Sequence, residues 1–438
     1  MKYPALVAVL VLASFGGCSA GESKPAPRPG GAGGSAPTGG SGGGTNNNTT
    51  TTGGNSGTPG TATGGAPGGA GGSPGTTPTN ADASTSTPPT GWWDPKWQKR
   101  ARVTIADPAL KERLTDFQVP VQLDPAIVDY RSTKPAGEDL RFVSATGEVL
   151  KHQIDTWNPA GPSLVWLRLP ALDGTPTSVW LYYGNADAAA PADADLKAVW
   201  PAPYVGVWHL SGDSKDATAS GFDGMTMSGG AWVDGKLGKG LQLDGSKREH
   251  IYLKNDIKML ATAAGCTFSA WIDPTKPEDS VNGMIIMTIG KWFNNNHNSY
   301  ADFNVNAAGS MISHIDPGTN TAASGYARIL SDPGFIKANE WSFVTYVIDL
   351  AANEERFFKN GELISTKKPP NGNFSASTFI DMVSTRVVIG AEEDVVSHWW
   401  TGSMDELRLE KGMRTPAWIA AQYRALTVAG YVKLEADR

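Results

Sequence analysis

The chain has 438 residues, with 37 Lys and Arg against 43 Asp and Glu and a formal net charge of −6. That mild acidity, with no basic stripe in any segment, excludes a nucleic-acid partner, whose phosphates demand a concentrated positive surface. Roughly 345 residues lie beyond the low-complexity N-terminal region, enough for two domains rather than one.

Met1-Lys2 opens with a positive charge, Leu6 to Leu12 form a short apolar run, and Ser14-Phe15-Gly16-Gly17-Cys18 closes the segment with small residues. Such a charged start and short apolar core read as an export signal, too short to span a bilayer. The pair Gly17-Cys18 resembles a bacterial lipoprotein cleavage box, with Phe15 standing where Leu is usual. The resemblance implies that residues 1–17 are removed and that Cys18 is lipidated, anchoring the protein to a membrane. Ser19 then favours an outer-membrane or cell-surface location. With Cys18 so used, Cys266 is alone and no internal disulfide forms. Its strand-like context, Cys266-Thr-Phe-Ser-Ala-Trp271, predicts a buried, inert thiol.

From Ala20 to Gly91 there is no Val, Ile, Leu, Met, Phe, Trp or Tyr, and between Arg28 and Asp82 no residue is charged. Nothing in that stretch offsets the entropy of ordering, so residues 18–90 are expected to form a disordered tether. As a flexible coil of about 70 residues it would span roughly 45 Å.

Residues 91–195 show short alternating runs divided by turn residues. Arg102-Val-Thr-Ile105, Phe117-Gln-Val-Pro-Val121, Leu140-Arg-Phe-Val143, Leu164 to Leu169 and Val179 to Tyr183 are predicted strands, with Pro120 marking an edge strand or a bulge. A small β-sandwich follows, because two sheets facing each other bury one side of each. Trp166 and Trp180 alternate with their neighbours as packing residues do. The phrases Trp97-Gln-Lys-Arg100, Asp139-Leu-Arg-Phe142, Trp157-Asn158 and Tyr182-Tyr-Gly-Asn185 resemble a bacterial envelope domain of unknown function that commonly precedes a laminin-G-like domain. This likeness implies an architecture and no chemistry.

Residues 196–426 continue in the same manner over a longer span. Tyr204 to Leu210, Gly240 to Gly245, Phe268 to Ile272, Trp341 to Ile348, Arg356 to Lys359, Val387 to Ile389 and Met404 to Leu409 are predicted strands. Asn360-Gly361 between two of them is a strong hairpin signal, since a type I′ turn needs positive φ at both positions. Many strands with almost no helix predict a jelly-roll of two large sheets, making the whole chain all-β. Thr415 caps a closing helix with Pro416 in its first turn, and Ile419, Tyr423 and Leu426 share the face that docks it. Residues 427–438 are then a C-terminal tail. The series Trp208-His-Leu210, Gly221-Phe-Asp-Gly224, Phe268-Ser-Ala-Trp271, Phe358-Lys-Asn-Gly361 and Gly402-Ser-Met-Asp-Glu-Leu-Arg408 resembles a laminin-G-like, concanavalin-A-like domain.

That fold hosts binding modules and glycoside hydrolases alike. The best-known hydrolases of this fold take their carboxylates from one strand as Glu-x-Asp-x-x-Glu, a pattern this sequence lacks. Asp405 and Glu406 are adjacent on a predicted strand and should point to opposite faces. Glu392-Glu393-Asp394 reads as a solvated acidic loop. His152, His209, His250, His297, His314 and His398 show no metal-ligand spacing, and His209 and His250 read as satisfied structural histidines. The resemblance implies one structural calcium, with Asp216 and Asp405 as ligands and Asp223 as a weaker companion. For ligand contact, Trp292, Asn294, Asn295, His297 and Tyr300 in one segment, and His398, Trp399 and Trp400 in another, combine stacking faces with hydrogen-bonding groups, as sugars need.

Three function classes remain. Aromatic-polar loops without catalytic spacing favour a non-catalytic module binding carbohydrate or a surface protein at the cell envelope. A glycoside hydrolase would need facing carboxylates assembled from distant loops. A structural part of an envelope complex, associated with a proton-channel system as relatives of the first unit sometimes are, would need a flat apolar patch.

Overall fold

The computed structural model describes residues 91–253, 259–275, 277, 282–290, 300–317, 327–370, 372–374, 376–379 and 386–437. Cys18 and residues 18–90 lie outside this set, as do Trp292, Asn294, Asn295 and His297. The described part is nearly all β, in two sandwiches.

The first sandwich faces a three-stranded sheet against a five-stranded one. Leu114–Leu123, Ser163–Leu172 and His152–Thr156 make the smaller sheet, with Leu114–Leu123 at its edge. Pro120 therefore sits on an edge strand, where its missing N–H interrupts no ladder. Val103, Ile105, Phe117, Val119, Val121, Phe142, Leu167 and Leu181 are fully buried between the sheets. Each contributes about 1.5–3 kcal/mol by leaving water.

The five-stranded sheet does not close with residues 91–195. Its edge is Val432–Ala436, which pairs antiparallel with Lys99–Ile105, placing Leu434 opposite Val103 and Val432 opposite Ile105. The expected tail is thus a strand of the first domain. Its Val432 and Leu434 alternate with Lys433 and Glu435, and their apolar side chains pack on the first core. Tyr431, just before it, is also buried there.

The second sandwich has an eight-stranded and a seven-stranded sheet. Gly265–Pro274 lies between Gly402–Lys411 and Ser342–Asp349 in the larger sheet. The rings of Phe268 and Phe303 stack across the core at 4.3 Å. Asn360 and Gly361 join Glu354–Lys359 to Glu362–Lys367 with φ of 52° and 82°, the left-handed pair that the hairpin requires. In the smaller sheet a row of paired residues, Ile251, Ile389, Met287, Phe303, Ser313 and Ile329, points into the core. The alternate row, Tyr252, Val388, Thr288, Asp302, His314 and Arg328, points to the outer face.

The helix Pro416–Thr427 is wedged between the two domains. Thr415 accepts a hydrogen bond from Trp418 N–H at 3.2 Å and caps it. Ile419 packs on Val347 and Phe358, and Tyr423 lies against Trp271, as expected of a helix docked on the larger sheet. Its opposite side is buried as well: Trp418, Ala421 and Ala425 belong to the core of the first sandwich, with Trp418 5.0 Å from Phe117.

One irregularity reverses a further expectation. Glu406 has φ of 53°, and the register between Gly402–Lys411 and Gly265–Pro274 slips there. Met404 and Leu407 both point into the core, so the bulge turns Asp405 and Glu406 outward together. The two carboxylates share a face, against the alternation that a regular strand would impose.

Candidate functional site

The outer face of the seven-stranded sheet is unusually polar for so buried a surface. Tyr300, Asp302, Asn304 and His314 are all at most 3% exposed there. Asp302 is the hub. Its Oδ2 accepts from the Tyr300 hydroxyl at 2.7 Å, and its Oδ1 from Asn304 Nδ2 at 3.0 Å and His314 N–H at 2.9 Å. The His314 imidazole Nδ1 lies 2.9 Å from the same oxygen. Burial, with the Asp302 charge beside it, pushes the Tyr300 phenol well above its ordinary range, so it remains a neutral donor.

The segment after Arg386–Ile389 covers this face. Trp400 N–H donates to Gly390 O at 2.8 Å, Ile285 N–H to His398 O at 3.0 Å and the Thr288 hydroxyl to Ala391 O at 3.1 Å. These bonds hold His398 at φ of 55°, a left-handed conformation that costs a side-chain residue about 1–3 kcal/mol. Glu392 accepts from His398 Nδ1 at 3.1 Å and from the Ser397 hydroxyl. The His398 bond holds the Glu392 carboxyl below its usual range despite burial, which keeps it an ionised acceptor.

Between sheet and covering segment is a cavity of about 200 Å³ lined by Asn282, Ile285, Tyr300, Asp302, His314, Glu392 and His398. It is smaller than the ~300–1,000 Å³ sites of drug-sized ligands, with room for one small polar unit. A larger hollow of about 350 Å³ in the first sandwich is lined by Arg141, Lys151, His152 and Asp195 together with Val149, Leu150 and residues 189–192, and brings fewer polar side chains together.

The structure brings Tyr300 and His398 together in one cavity from segments nearly a hundred positions apart. It does not present Trp399 or Trp400 as stacking faces. Trp400 is fully buried in the main core, and Trp399, 8% exposed, packs with Val388, Ala391 and the His250 ring. Asp302, His314 and Asn282 went unrecognised. A signal existed in Tyr300-Ala-Asp302-Phe-Asn304, where polar residues alternate with apolar ones at the period of a strand.

The residues expected to hold calcium accept hydrogen bonds from neighbouring groups of the protein. Asp216 accepts from Val207 N–H, Thr218 N–H, the Thr218 hydroxyl and Phe222 N–H at 2.8–3.1 Å. Asp223 accepts from Asp216 N–H at 2.8 Å, and Asp405 from Leu237 N–H at 2.7 Å. Among the described residues these three do not gather into a ligand group.

The sequence profile of the concanavalin A-like lectin/glucanases superfamily (Laminin_G_3) matches residues 244–420, and that of a domain of unknown function (DUF2341) matches residues 136–200. The chain therefore carries a laminin-G-like, concanavalin A-like domain and, before it, a DUF2341 domain. No curated protein sequence matches the chain. Among solved structures it is similar to domain 4 of AbnA, a GH43 extracellular arabinanase from Geobacillus stearothermophilus, in complex with arabinotriose. That likeness has 16% identity, a TM-score of 0.34, and covers 50% of this chain and 96% of that one. A second is the binding domain of Paraclostridial Mosquitocidal Protein 1, at 14% identity and TM-score 0.39, covering 51% of this chain and 52% of that one. A third is the heptameric SAP-like pentraxin from Limulus polyphemus, at 16% identity and TM-score 0.28, covering 41% of this chain and 86% of that one.

Proposed function

We propose that this protein is a non-catalytic recognition module that holds a carbohydrate residue in the cavity on the outer face of the seven-stranded sheet. The observation that supports it is the convergence of Tyr300, Asp302, His314, Glu392 and His398 on a space of about 200 Å³. Hydroxyl, imidazole and carboxylate groups together match the mixed donors and acceptors of a polyol. Two carboxylates in so small a volume favour a neutral sugar over an anionic one. In this reading the module is exported and held at the cell envelope through a lipid on Cys18.

Retention of the full chain on immobilised neutral glycans tests the proposal. Asp302→Asn and His398→Ala should each lose retention while keeping a cooperative melt. Equal retention by these variants and the wild type would sink the assignment of the cavity. The pair Asp302 and Glu392 in one cavity favours a second reading, glycoside hydrolysis, which requires one carboxyl to donate a proton. Release of reducing sugar from a retained glycan, abolished by Glu392→Gln, would establish that reading instead.

A further inference from the structure

We propose that the seam between the two sandwiches is a binding site for a divalent transition-metal ion, with Asp155, His209 and Glu406 as its ligands. The three come from distant segments. Asp155 is on His152–Thr156 of the first sandwich, His209 follows Tyr204–Trp208, and Glu406 is the bulge residue of Gly402–Lys411. One donor atom from each lies within 4.8 Å of the other two. Closing such a set on an ion with ligand distances of about 2.0–2.2 Å takes only small side-chain shifts.

The hydrogen bonding at this point is incomplete in a way that suits a cation. His209 Nδ1 lies 2.8 Å from Glu406 Oε1, and Glu406 Oε2 accepts from Arg408 Nη2 at 2.8 Å. His209 Nδ1 and Glu406 Oε1 share a proton, whose place an ion bound by both residues would take. His209 Nε2 is buried with no hydrogen-bond partner and His209 is only 8% exposed, while the Asp155 carboxylate lies beside the Ser211 hydroxyl and the Trp166 indole. The ring is fixed from its face too, stacked on Trp166 at 5.5 Å and 15°.

The local charge balance points the same way. Asp155, Glu406 and, through the bulge, Asp405 bring three carboxylates together beside Arg408. A dication among these groups relieves repulsion that one arginine does not. A nitrogen donor among the ligands selects zinc or a neighbouring transition metal over calcium or magnesium. An adjoining cavity of about 270 Å³, lined in part by Gln153, Ser211 and Asp216, supplies an entry path and room for water ligands. The ion would join Asp155 of one domain to His209 and Glu406 of the other.

The test is zinc titration of the full chain after dialysis against chelator, read by calorimetry and by metal content after gel filtration. The wild type should retain one equivalent, and Asp155→Asn and His209→Gln should each weaken binding about tenfold or more. No stoichiometric uptake by the wild type, or uptake by folded variants equal to it, would overturn the proposal. Such an outcome would leave His209 as a protonated cross-link between carboxylates. If either variant fails to fold, imidazole ¹⁵N shifts of the wild type on adding zinc decide. A shift of one buried histidine supports the site, and none rejects it.

Discussion

Asp107, in the first sandwich, is paired with Arg424 on the C-terminal helix at 2.7 Å, although 317 positions separate them in sequence. Asp107 is 1% exposed and also accepts from the Tyr431 hydroxyl at 3.2 Å. With Trp418 in the first core, this pair ties the helix of the second domain to the first. Removing the arginine leaves a buried, uncompensated carboxylate, which costs about 3–5 kcal/mol for a fully buried pair. Arg424 is partly exposed, so Arg424→Met should destabilise by about 3 kcal/mol, read by urea unfolding. A loss within ~0.5 kcal/mol, ordinary for surface sites, would mean the pair does not lock the domains.

The pairing of Val432–Ala436 with Lys99–Ile105 makes the first sandwich depend on the end of the chain. Deleting residues 431–438 should expose the backbone edge of Lys99–Ile105 and give aggregation or a large fall in melting temperature. Residues 91–195 expressed alone should fail to fold for the same reason. A soluble, cooperatively melting 91–195 fragment would refute this dependence.

Glu355 points into the core of the second sandwich, fully buried, where it accepts a hydrogen bond from Ser313. Burial pushes its carboxyl well above the ordinary range, so the folded state holds it protonated. A value raised on folding stabilises fully below the unfolded value of about 4.3, and that contribution is lost as pH rises towards the folded value. Glu355→Gln mimics the protonated form. It should melt like the wild type near pH 4 and progressively above it as pH increases, by up to about 1.4 kcal/mol per pH unit in the intervening window. Parallel melting curves across pH would show that Glu355 is not held protonated.

Glu392 has the opposite sign. His398 lowers its carboxyl, so the contribution of this pair to the covering segment is present above the unfolded value and is lost as pH falls through the lowered folded value. Glycan retention should therefore decline at acid pH below the ordinary glutamate range of about 4.3. Glu392→Gln should weaken retention at neutral pH and flatten that dependence. An unchanged profile would remove Glu392 from the site.

Gly390 anchors the same segment at φ of 88°, and a Cβ there would lie 2.3 Å from Leu243 Cδ1. Gly390→Ala should disturb the covering segment and reduce retention more than Leu243→Ala, since it adds strain at a left-handed position.

Local rules made much of this architecture legible. Alternation predicted about half of the described strands, though only Val387 to Ile389 of the seven-stranded sheet, while Asn360-Gly361 marked its hairpin and Thr415 the cap of the helix. Other features depend on contacts that no window of sequence contains. Val432-Lys-Leu434 is too short to read as a strand until Lys99–Ile105 is known to need a partner. The two-sided burial of Pro416–Thr427 reflects two domains closing on one helix. The bulge at Glu406 breaks the alternation on which the opposite-face expectation rested. Trp399 and Trp400 sit in polar company in sequence, but the fold turns both inward. Asp302 and His314 were missed because isolated polar residues in strands more often face solvent than a covered cavity.

The returning strand at the end of the chain also bears on how the molecule is made. As the polypeptide leaves the ribosome, the edge of Lys99–Ile105 must wait, unpaired, through synthesis of the entire second domain before Val432–Ala436 arrives. Contacts between such remote segments form slowly, because a very long loop must close first. The first sandwich is therefore begun before the second domain and completed only after it.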